Sequence, residues 1–495
     1  MNIREKIYQL IKMRGVSHTT FNPYGPGVVR IHLIPPKFSV NKAVPSIAIV
    51  NGQDIIPINT SWAILLDVFI KEVNKYASRE LEDSEIEEIV QNTIKNVRKV
   101  YPRTPKQVIR NDLWEIIESL CSIAYGEEPN VDIGYMSINE YAPNMKAPHR
   151  MDLMISAMEK EGKWNCNQKC LHCYAAGQEF ANTKELSTYE WKKVIDICRR
   201  IGIPQLTFTG GEPTMRKDLI ELISYSKWFV TRLNTNGVNI TPKLCAELYG
   251  ASLDSIQITL YSHNEEIHNK LVGAQKFNHT VQGIKNAVQA GLNVSINTPL
   301  CKINSDYVET LKFINSLGVK YVSCSGLIIS GNACNDNSKT TQLSEEELLS
   351  ILKDATDYCA ENQIEISFTS PGWAAEEKIA ELGLNVPACG ACLSNMAVSP
   401  DGNVVPCQSW LSKDSSLGNI LEESWYAIWN SEKCKNIRNF NTNGCDKCLL
   451  RLKNEENIDV SRCPNIEVKN DRKDSDNKWH LFLMKLGEKL AWQNG

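Results

Sequence analysis

Ten cysteines stand in two groups whose spacing suits metal ligation. Three fall in Cys166-Asn167-Gln168-Lys169-Cys170-Leu171-His172-Cys173, and seven, Cys389, Cys392, Cys407, Cys434, Cys445, Cys448 and Cys463, crowd the C-terminal quarter of the chain. Three thiolates in C-x3-C-x2-C spacing suit an iron–sulfur cluster better than tetrahedral zinc, which ordinarily takes two C-x2-C pairs or Cys and His pairs. Such a set leaves one iron of a cubane open to a small molecule; His172 is the alternative fourth ligand and zinc the alternative metal. Among the seven, Cys389-x2-Cys392-x14-Cys407 and Cys445-x2-Cys448-x14-Cys463 repeat one spacing, and zinc would also accept their two C-x2-C pairs. A further candidate is Gly210-Gly211-Glu212-Pro213, where paired glycines let backbone approach a ligand and a carboxylate complements a cation. Its bland alternative is a Gly-Gly turn after a strand.

The remaining cysteines, Cys121, Cys198, Cys245, Cys301, Cys324, Cys334 and Cys359, are scattered through apolar or mixed segments and read as small core residues. The total of 17 is odd, so complete pairing into intramolecular disulfides is excluded and a reduced, cytoplasmic setting fits. With 54 Lys+Arg against 58 Asp+Glu, the net charge of −4 leaves no surplus for a polyanion, which argues against a nucleic-acid partner bound by bulk charge. The chain has 495 residues, 42% hydrophobic and 23% charged, enough for two to four globular domains. No apolar run reaches the roughly 20 residues of a spanning helix, and charges near Met1 break the pattern of a signal peptide, so no membrane is expected.

Several elements must position these residues. From Met151 onward, strand-like runs at 153–158, 205–209, 232–235, 255–260, 293–297 and 321–329 alternate with helical patterns near 189–201, 217–228, 242–249, 280–290 and 306–317. Six βα units predict an α/β fold, a partial (βα)6 TIM-like barrel with functional loops at the strand C-terminal ends. The first cysteine loop follows the first strand, and the Gly-Gly-Glu-Pro run ends the second. Upstream, apolar runs at 46–50 and 54–58 flank Asn51-Gly52, a strong hairpin signal, and precede a helix capped by Thr60 or Ser61 and two more amphipathic segments near 83–100 and 105–122. This reads as a winged-helix-like α+β domain over 1–123, followed by a linker over 124–150. The barrel then takes 151–340, a connecting helical segment 341–388, with a helix near 345–362, and a small iron–sulfur domain 389–465. Within that last domain Asp401-Gly402 marks another hairpin. A tail over 466–495 carries an amphipathic pattern near 478–492.

On its C-x3-C-x2-C loop and the motif Thr209-Gly210-Gly211-Glu212-Pro213, the chain resembles the radical S-adenosylmethionine (SAM) enzymes, over Met151 to about Asn335 and again in the cysteine-rich region. The resemblance implies a [4Fe–4S] cluster on Cys166, Cys170 and Cys173 whose open iron chelates SAM. It further implies Gly210, Gly211 and Glu212 at the methionyl ammonium, and Thr235 and Asn236 of Leu233-Asn234-Thr235-Asn236-Gly237 on the cofactor side. Thr259 stands where a hydroxyl commonly meets SAM, although the usual Ser-Leu-Asp is here Thr-Leu-Tyr. Asn297 and Ser330-Gly331-Asn332-Ala333 fall near where the family closes on adenine; ordinary strand-end polarity explains them almost as well.

Cys392-x9-Gly402-x4-Cys407 is similar to the opening of the SPASM domain, which holds auxiliary iron–sulfur clusters in peptide-modifying radical SAM enzymes, while Cys448 to Cys463 resembles the single-cluster "twitch" spacing. Seven thiols serve one complete four-cysteine cluster and one three-cysteine cluster, so one or two auxiliary clusters are expected on Cys389, Cys392, Cys407, Cys445, Cys448, Cys463 and Cys434. Sulfatase-maturing relatives carry a basic Asp directly after the cysteine matching Cys407; Gln408 stands here, which disfavours formylglycine formation. The N-terminal unit resembles peptide-recognition domains of the kind used in pyrroloquinoline quinone biosynthesis, which hold a leader peptide as an added strand; a helix-turn-helix DNA reader is the alternative. A flexible linker of ~25 residues would span on the order of 25–30 Å, enough to tether a leader-bound peptide to the barrel.

The expected function is a radical SAM maturase of a ribosomally made precursor peptide that forms a thioether or carbon–carbon crosslink, with the 5′-deoxyadenosyl radical abstracting hydrogen and a flavodoxin- or ferredoxin-type protein donating the electron. Two other readings are a radical SAM maturase of a folded enzyme or protein-derived cofactor, and a zinc- or cluster-bearing regulator with a helix-turn-helix head.

Overall fold

The computed structural model describes residues 3–443 apart from positions 14, 22–27, 39–42, 53, 77–80, 336–339, 370–373, 375 and 386–388. Cys445, Cys448, Cys463 and the pattern near 478–492 therefore lie outside the described residues.

The N-terminal unit opens with α1 (Ile3–Lys12) and β1 (Ser17–Phe21), followed by β2 (Val29–Ile34), β3 (Ser46–Val50), β4 (Asp54–Ile58), α2 (Thr60–Val73), α3 (Asp83–Val97) and α4 (Lys106–Ala124). The strands form an antiparallel sheet in the order β1-β2-β3-β4. Asn51 and Gly52 adopt φ of 47° and 69° in the β3–β4 turn, the left-handed pair that such a tight hairpin demands. Helix α2 is capped one residue earlier than expected: Asn59 Oδ1 accepts from the Trp62 amide at 2.9 Å. An Asx side chain reaches this donor readily, which is why it takes the role from Thr60 and Ser61.

Strand alternation divides the sheet between two cores. Val29, Ile31, Leu33, Ala48, Val50, Ile56 and Ile58 pack with α2, α3 and α4, whereas Ile47, Ile49 and Ile55 pack with the barrel. The uninterrupted apolar run Ser46–Val50 follows directly, since both of its faces are buried. The segment read as a flexible linker is packed as well. Met136, Tyr141, Met145 and Ala147 are buried in the barrel's core, a short helical turn forms at Ile138–Tyr141, and the Met136 amide donates to the Ile55 carbonyl of edge strand β4 at 2.8 Å. Buried apolar anchors replace the free tether.

The barrel comprises β5 (Arg150–Ser156), α5 (Thr188–Ile201), β6 (Gln205–Gly210), α6 (Leu219–Tyr225), β7 (Val230–Thr235), α7 (Pro242–Gly250), β8 (Ser255–Thr259), α8 (Glu265–Val272), α9 (Phe277–Gln289), β9 (Val294–Pro299), α10 (Tyr307–Ser316) and β10 (Tyr321–Ser325). Beyond them come α11 (Glu345–Glu361) and β11 (Glu365–Thr369), then β12 (Asn395–Val398), β13 (Val404–Val405), α12 (Trp425–Asn430) and α13 (Glu432–Asn443). Strands β5 to β10 run parallel in sequence order, the six-unit TIM-like arrangement expected. The sheet continues past both edges: β11 pairs in parallel with β10, and β12 in parallel with β5, so the hairpin of the cysteine-rich region is built onto the barrel sheet.

The N-terminal sheet docks on the floor of this barrel, where the strands begin. Arg30, 1% exposed, bonds Asp254 just before β8 at 2.9 Å and donates to the Lys227 carbonyl at 2.8 Å. The His32 ring meets Trp228 edge-on at 4.7 Å, and Gln205 donates to the Gly52 carbonyl at 2.7 Å. Among the described residues no helix is long and apolar enough to cross a membrane.

Candidate cluster and cofactor site

The opposite end of the barrel, where the strands finish, holds the cysteine loop. After β5 the loop is hung on the end of α8 by backbone bonds from the Lys169 amide to the Val272 carbonyl, 2.9 Å, and from the Leu171 amide to the Leu271 carbonyl, 2.8 Å. Gly273 caps α8 in the left-handed region, and a Cβ there would run into the Lys169 carbonyl, so only glycine permits this close approach. The loop beyond β10 clamps the other side: Asn332 donates from its amide to the Cys173 carbonyl, 2.9 Å, and from Nδ2 to the Cys170 carbonyl, 3.1 Å. Ser330 Oγ donates to the Tyr174 carbonyl at 3.3 Å. Residues 330–333, read as bordering adenine, thus hold the backbone of the cysteine loop.

His172 is held by a side chain from outside the loop. Its Nε2 pairs with Thr341 Oγ1 at 2.8 Å, and burial lowers its pKa to about 4. This bond ties the cysteine loop to Thr341, while His172 Nδ1 is buried without a hydrogen-bond partner.

The three motifs meet at Cys166 and Glu212. Cys166 Sγ lies 3.7 Å from the Gly211 carbonyl and 4.0 Å from Asn236 Nδ2, which also donates to Asn167 Oδ1 at 2.5 Å. Glu212 is buried at 1% exposure. Its Oε1 accepts from the Thr214 amide at 3.0 Å, Thr214 Oγ1 at 2.5 Å and Thr235 Oγ1 at 2.7 Å, and its Oε2 from the Asn236 amide at 2.8 Å. Burial still raises the pKa of Glu212, offset in part by these donors. Gly210, at φ 138°, sits at a register shift against β5 where a Cβ would strike the Ser156 backbone, and the Gly211 amide donates to the Ser156 carbonyl at 2.8 Å. Thr259, partly exposed at the end of β8 beside Asn297 of β9, stands two strands further around the same rim.

Cys166, Cys170 and Cys173 are free thiols. Burial pushes Cys166 up to about 12 and Cys170 well above the usual thiol range, and the three influence one another electrostatically. Among the described residues no three Cys, His, Asp or Glu side chains converge as ligands of a single metal ion. A cluster instead spreads its thiolates over separate irons. Asn167 Nδ2 and Gln168 Nε2 are buried in the loop without hydrogen-bond partners, donors of the kind that cluster sulfurs accept. An all-thiol set with amide donors beside it fits an iron–sulfur cluster, and a carboxylate behind two crowded glycines fits the ammonium of a bound cofactor.

In the C-terminal module, Cys389 and Cys407 are partly buried, while Cys392 and Cys434 are fully buried with their thiols hydrogen-bonded to each other. Of the seven scattered cysteines, Cys198, Cys245, Cys301, Cys324 and Cys359 are buried and Cys121 and Cys334 half-buried, all as free thiols. Sequence reasoning missed Thr214, Asn167, the clamp at Asn332 and the Arg438 guanidinium beside Cys434.

Residues 165–314 match the model of the radical SAM superfamily, and residues 389–449 match that of the iron-sulfur cluster-binding SPASM domain. The AdoMet-dependent heme synthase of Oleidesulfovibrio alaskensis is 29% identical over 297 residues, 56% of this chain and 74% of that protein. The mycofactocin maturase MftC of Mycolicibacterium smegmatis is 27% identical over 291 residues, 57% and 72% of the two chains. Among solved structures, SuiB of Streptococcus suis bound to precursor peptide SuiA superposes with a TM-score of 0.54 at 16% identity, covering 80% of this chain and 88% of that one, a likeness of fold. The protein is an enzyme built on a radical SAM barrel. More particularly, it carries a radical SAM domain over residues 165–314 and a SPASM domain over residues 389–449, and its cofactors are SAM, a [4Fe–4S] cluster and auxiliary iron–sulfur clusters.

Proposed function

We propose that the protein is a maturase that crosslinks a ribosomally made precursor peptide through a thioether or carbon–carbon bond. The observation carrying this reading is the junction of the cysteine loop, the Gly-Gly-Glu turn and the third-strand motif at Cys166 and Glu212. The peptide substrate is supported by the similarity to MftC and by the fold shared with a precursor-bound enzyme.

Cys166, Cys170 and Cys173 would hold the [4Fe–4S] cluster. Glu212, fixed by Thr214, Thr235 and Asn236, would receive the ammonium of SAM, and the Gly210-Gly211 backbone would lie along its methionyl part. Thr259 would contribute a hydroxyl to the same cofactor. Cluster and SAM together supply a carbon radical able to take hydrogen from an unactivated C–H bond. The chain's own part is to bind, orient and exclude water, with Tyr174, Tyr261 and Leu271 packed behind the loop.

The N-terminal unit would bind the leader peptide at a sheet edge. Its barrel-facing side is used for docking, and edge β4 is engaged in part by Met136, so addition in the plane of the sheet is the mode its geometry favours. Reduction would come from a flavodoxin- or ferredoxin-type donor in the cytoplasm.

Coexpression with a precursor peptide encoded beside the enzyme, followed by mass spectrometry, tests the function. A loss of two hydrogens from the peptide is expected. Unaltered peptide together with uncleaved SAM under dithionite, or fewer than about four irons per reconstituted chain, would overturn the reading.

A further inference from the structure

The C-terminal module contains a side-chain cluster that its motif spacing does not account for. Cys434, on α13, is fully buried and hydrogen-bonds the thiol of Cys392, which is fully buried and held at a backbone φ of 56°. Cys407 lies near enough to act electrostatically on Cys392, and the Cys392 amide donates to the carbonyl of Pro406, the residue preceding Cys407, at 3.2 Å. Arg438, one turn further along α13, donates from Nη1 to Cys434 Sγ at 3.5 Å and to the Cys392 carbonyl at 3.4 Å. Its Nη2 donates to the Trp429 carbonyl at 3.1 Å, and the guanidinium carbon sits 3.9 Å from the Trp429 ring centre. A planar guanidinium fixed by stacking and by two carbonyls keeps its remaining donors aimed at sulfur.

A buried cysteine serving only as a small hydrophobe requires neither a thiol partner from a distant segment nor an arginine aimed at its sulfur. We infer that Cys434 is the fourth ligand of the auxiliary iron–sulfur cluster that the motif spacing gives to Cys389, Cys392 and Cys407, and that Arg438 is a positioning residue that orients Cys434 and offsets the negative charge of the thiolate set. Each thiol gives its proton to solvent as it binds iron, with no change in sulfur oxidation state. Helix α13 thereby brings in a fourth ligand from outside the repeated C-x2-C-x14-C spacing. The inference rests on the iron–sulfur reading of this module and not on the peptide substrate.

The test uses the full chain carrying Cys166→Ala, Cys170→Ala and Cys173→Ala, so that only auxiliary iron is counted after anaerobic reconstitution. Adding Cys434→Ala is expected to lower bound iron and sulfide and to change the electron paramagnetic resonance spectrum of the reduced cluster. Unchanged iron with an unchanged spectrum overturns the ligand assignment. Cys245→Ala, a buried thiol on α7, is the folding control; if it loses as much iron, the loss at Cys434 reflects packing and the assignment falls. Arg438→Gln is expected to retain iron while moving the cluster's midpoint potential to more negative values, with Arg438→Lys recovering part of the shift. An unmoved potential removes the positioning role. None of these readouts requires SAM or a peptide, so failure of the substrate reading leaves the result intact.

Discussion

The two ends of the barrel bury polar groups by opposite means. At the floor, the charges of Arg30 and Asp254 meet and the His32 ring lies against Trp228, with its Nδ1 left unpartnered, so the two charged groups come from two parts of the chain and complement each other. At the rim, free thiols stand beside the unpartnered amides of Asn167 and Gln168, within a loop fastened from outside by α8 and Asn332. Folding alone satisfies the Arg30–Asp254 pair, whereas the rim is arranged around ligand chemistry. Substitutions at the floor should therefore act on stability and those at the rim on cofactor chemistry.

The largest effect expected is on the rim. Replacing Cys166, Cys170 and Cys173 together by Ala should abolish SAM cleavage, measured as 5′-deoxyadenosine release, while the urea midpoint moves little; a large fall in that midpoint would erase the contrast between the ends. At the floor, Asp254→Ala strands a buried guanidinium and should cost about 3–5 kcal/mol in urea titration. Where the variant remains folded, its rate of SAM cleavage should match the parent.

Acid should act through the floor. Burial lowers the pKa of His32 to about 3 and that of His149, which precedes β5, to about 4. Both are neutral in the folded state, so their contribution is complete above the unfolded value of about 6.5 and is lost as pH falls from there through the folded values. By pH 4 this amounts to on the order of 3 kcal/mol per histidine. His32→Gln should flatten the pH dependence of the urea midpoint; an unchanged slope would place the acid sensitivity elsewhere. The smallest expected effect is that of Glu212→Gln. Exchanging a charge-assisted contact for a neutral one should weaken SAM binding by roughly 1.5–3 kcal/mol, about 10- to 150-fold, by isothermal titration of the reconstituted protein.

What could be read in the sequence was local. Cys166 to Cys173 and Gly210 to Pro213 carry their chemistry in consecutive residues, and Asn51-Gly52 marks its own turn. The roles of Asn332 and Arg438 had no such mark, because each acts across a long stretch of chain: Asn332, which stood out only as a strand-end residue, on the Cys170 carbonyl and Arg438 on that of Cys392. The strand Glu365–Thr369 escaped notice for a different reason. As an outer strand it buries only Phe368 well, so it lacks the apolar run that marked the inner strands. The apolar run of β3 was legible as a strand but not as a surface shared by two cores, since periodicity reveals burial without naming the neighbour.

That shared surface has a consequence for how the molecule comes apart. Ile47, Ile49 and Ile55 belong to the same packed cluster as Leu206, Phe229 and Leu253 of the barrel. Excising the first 123 residues would bare an oily underside and leave Asp254 facing water. The head and barrel should consequently melt as one cooperative unit, with a single calorimetric transition, and the barrel produced alone should precipitate.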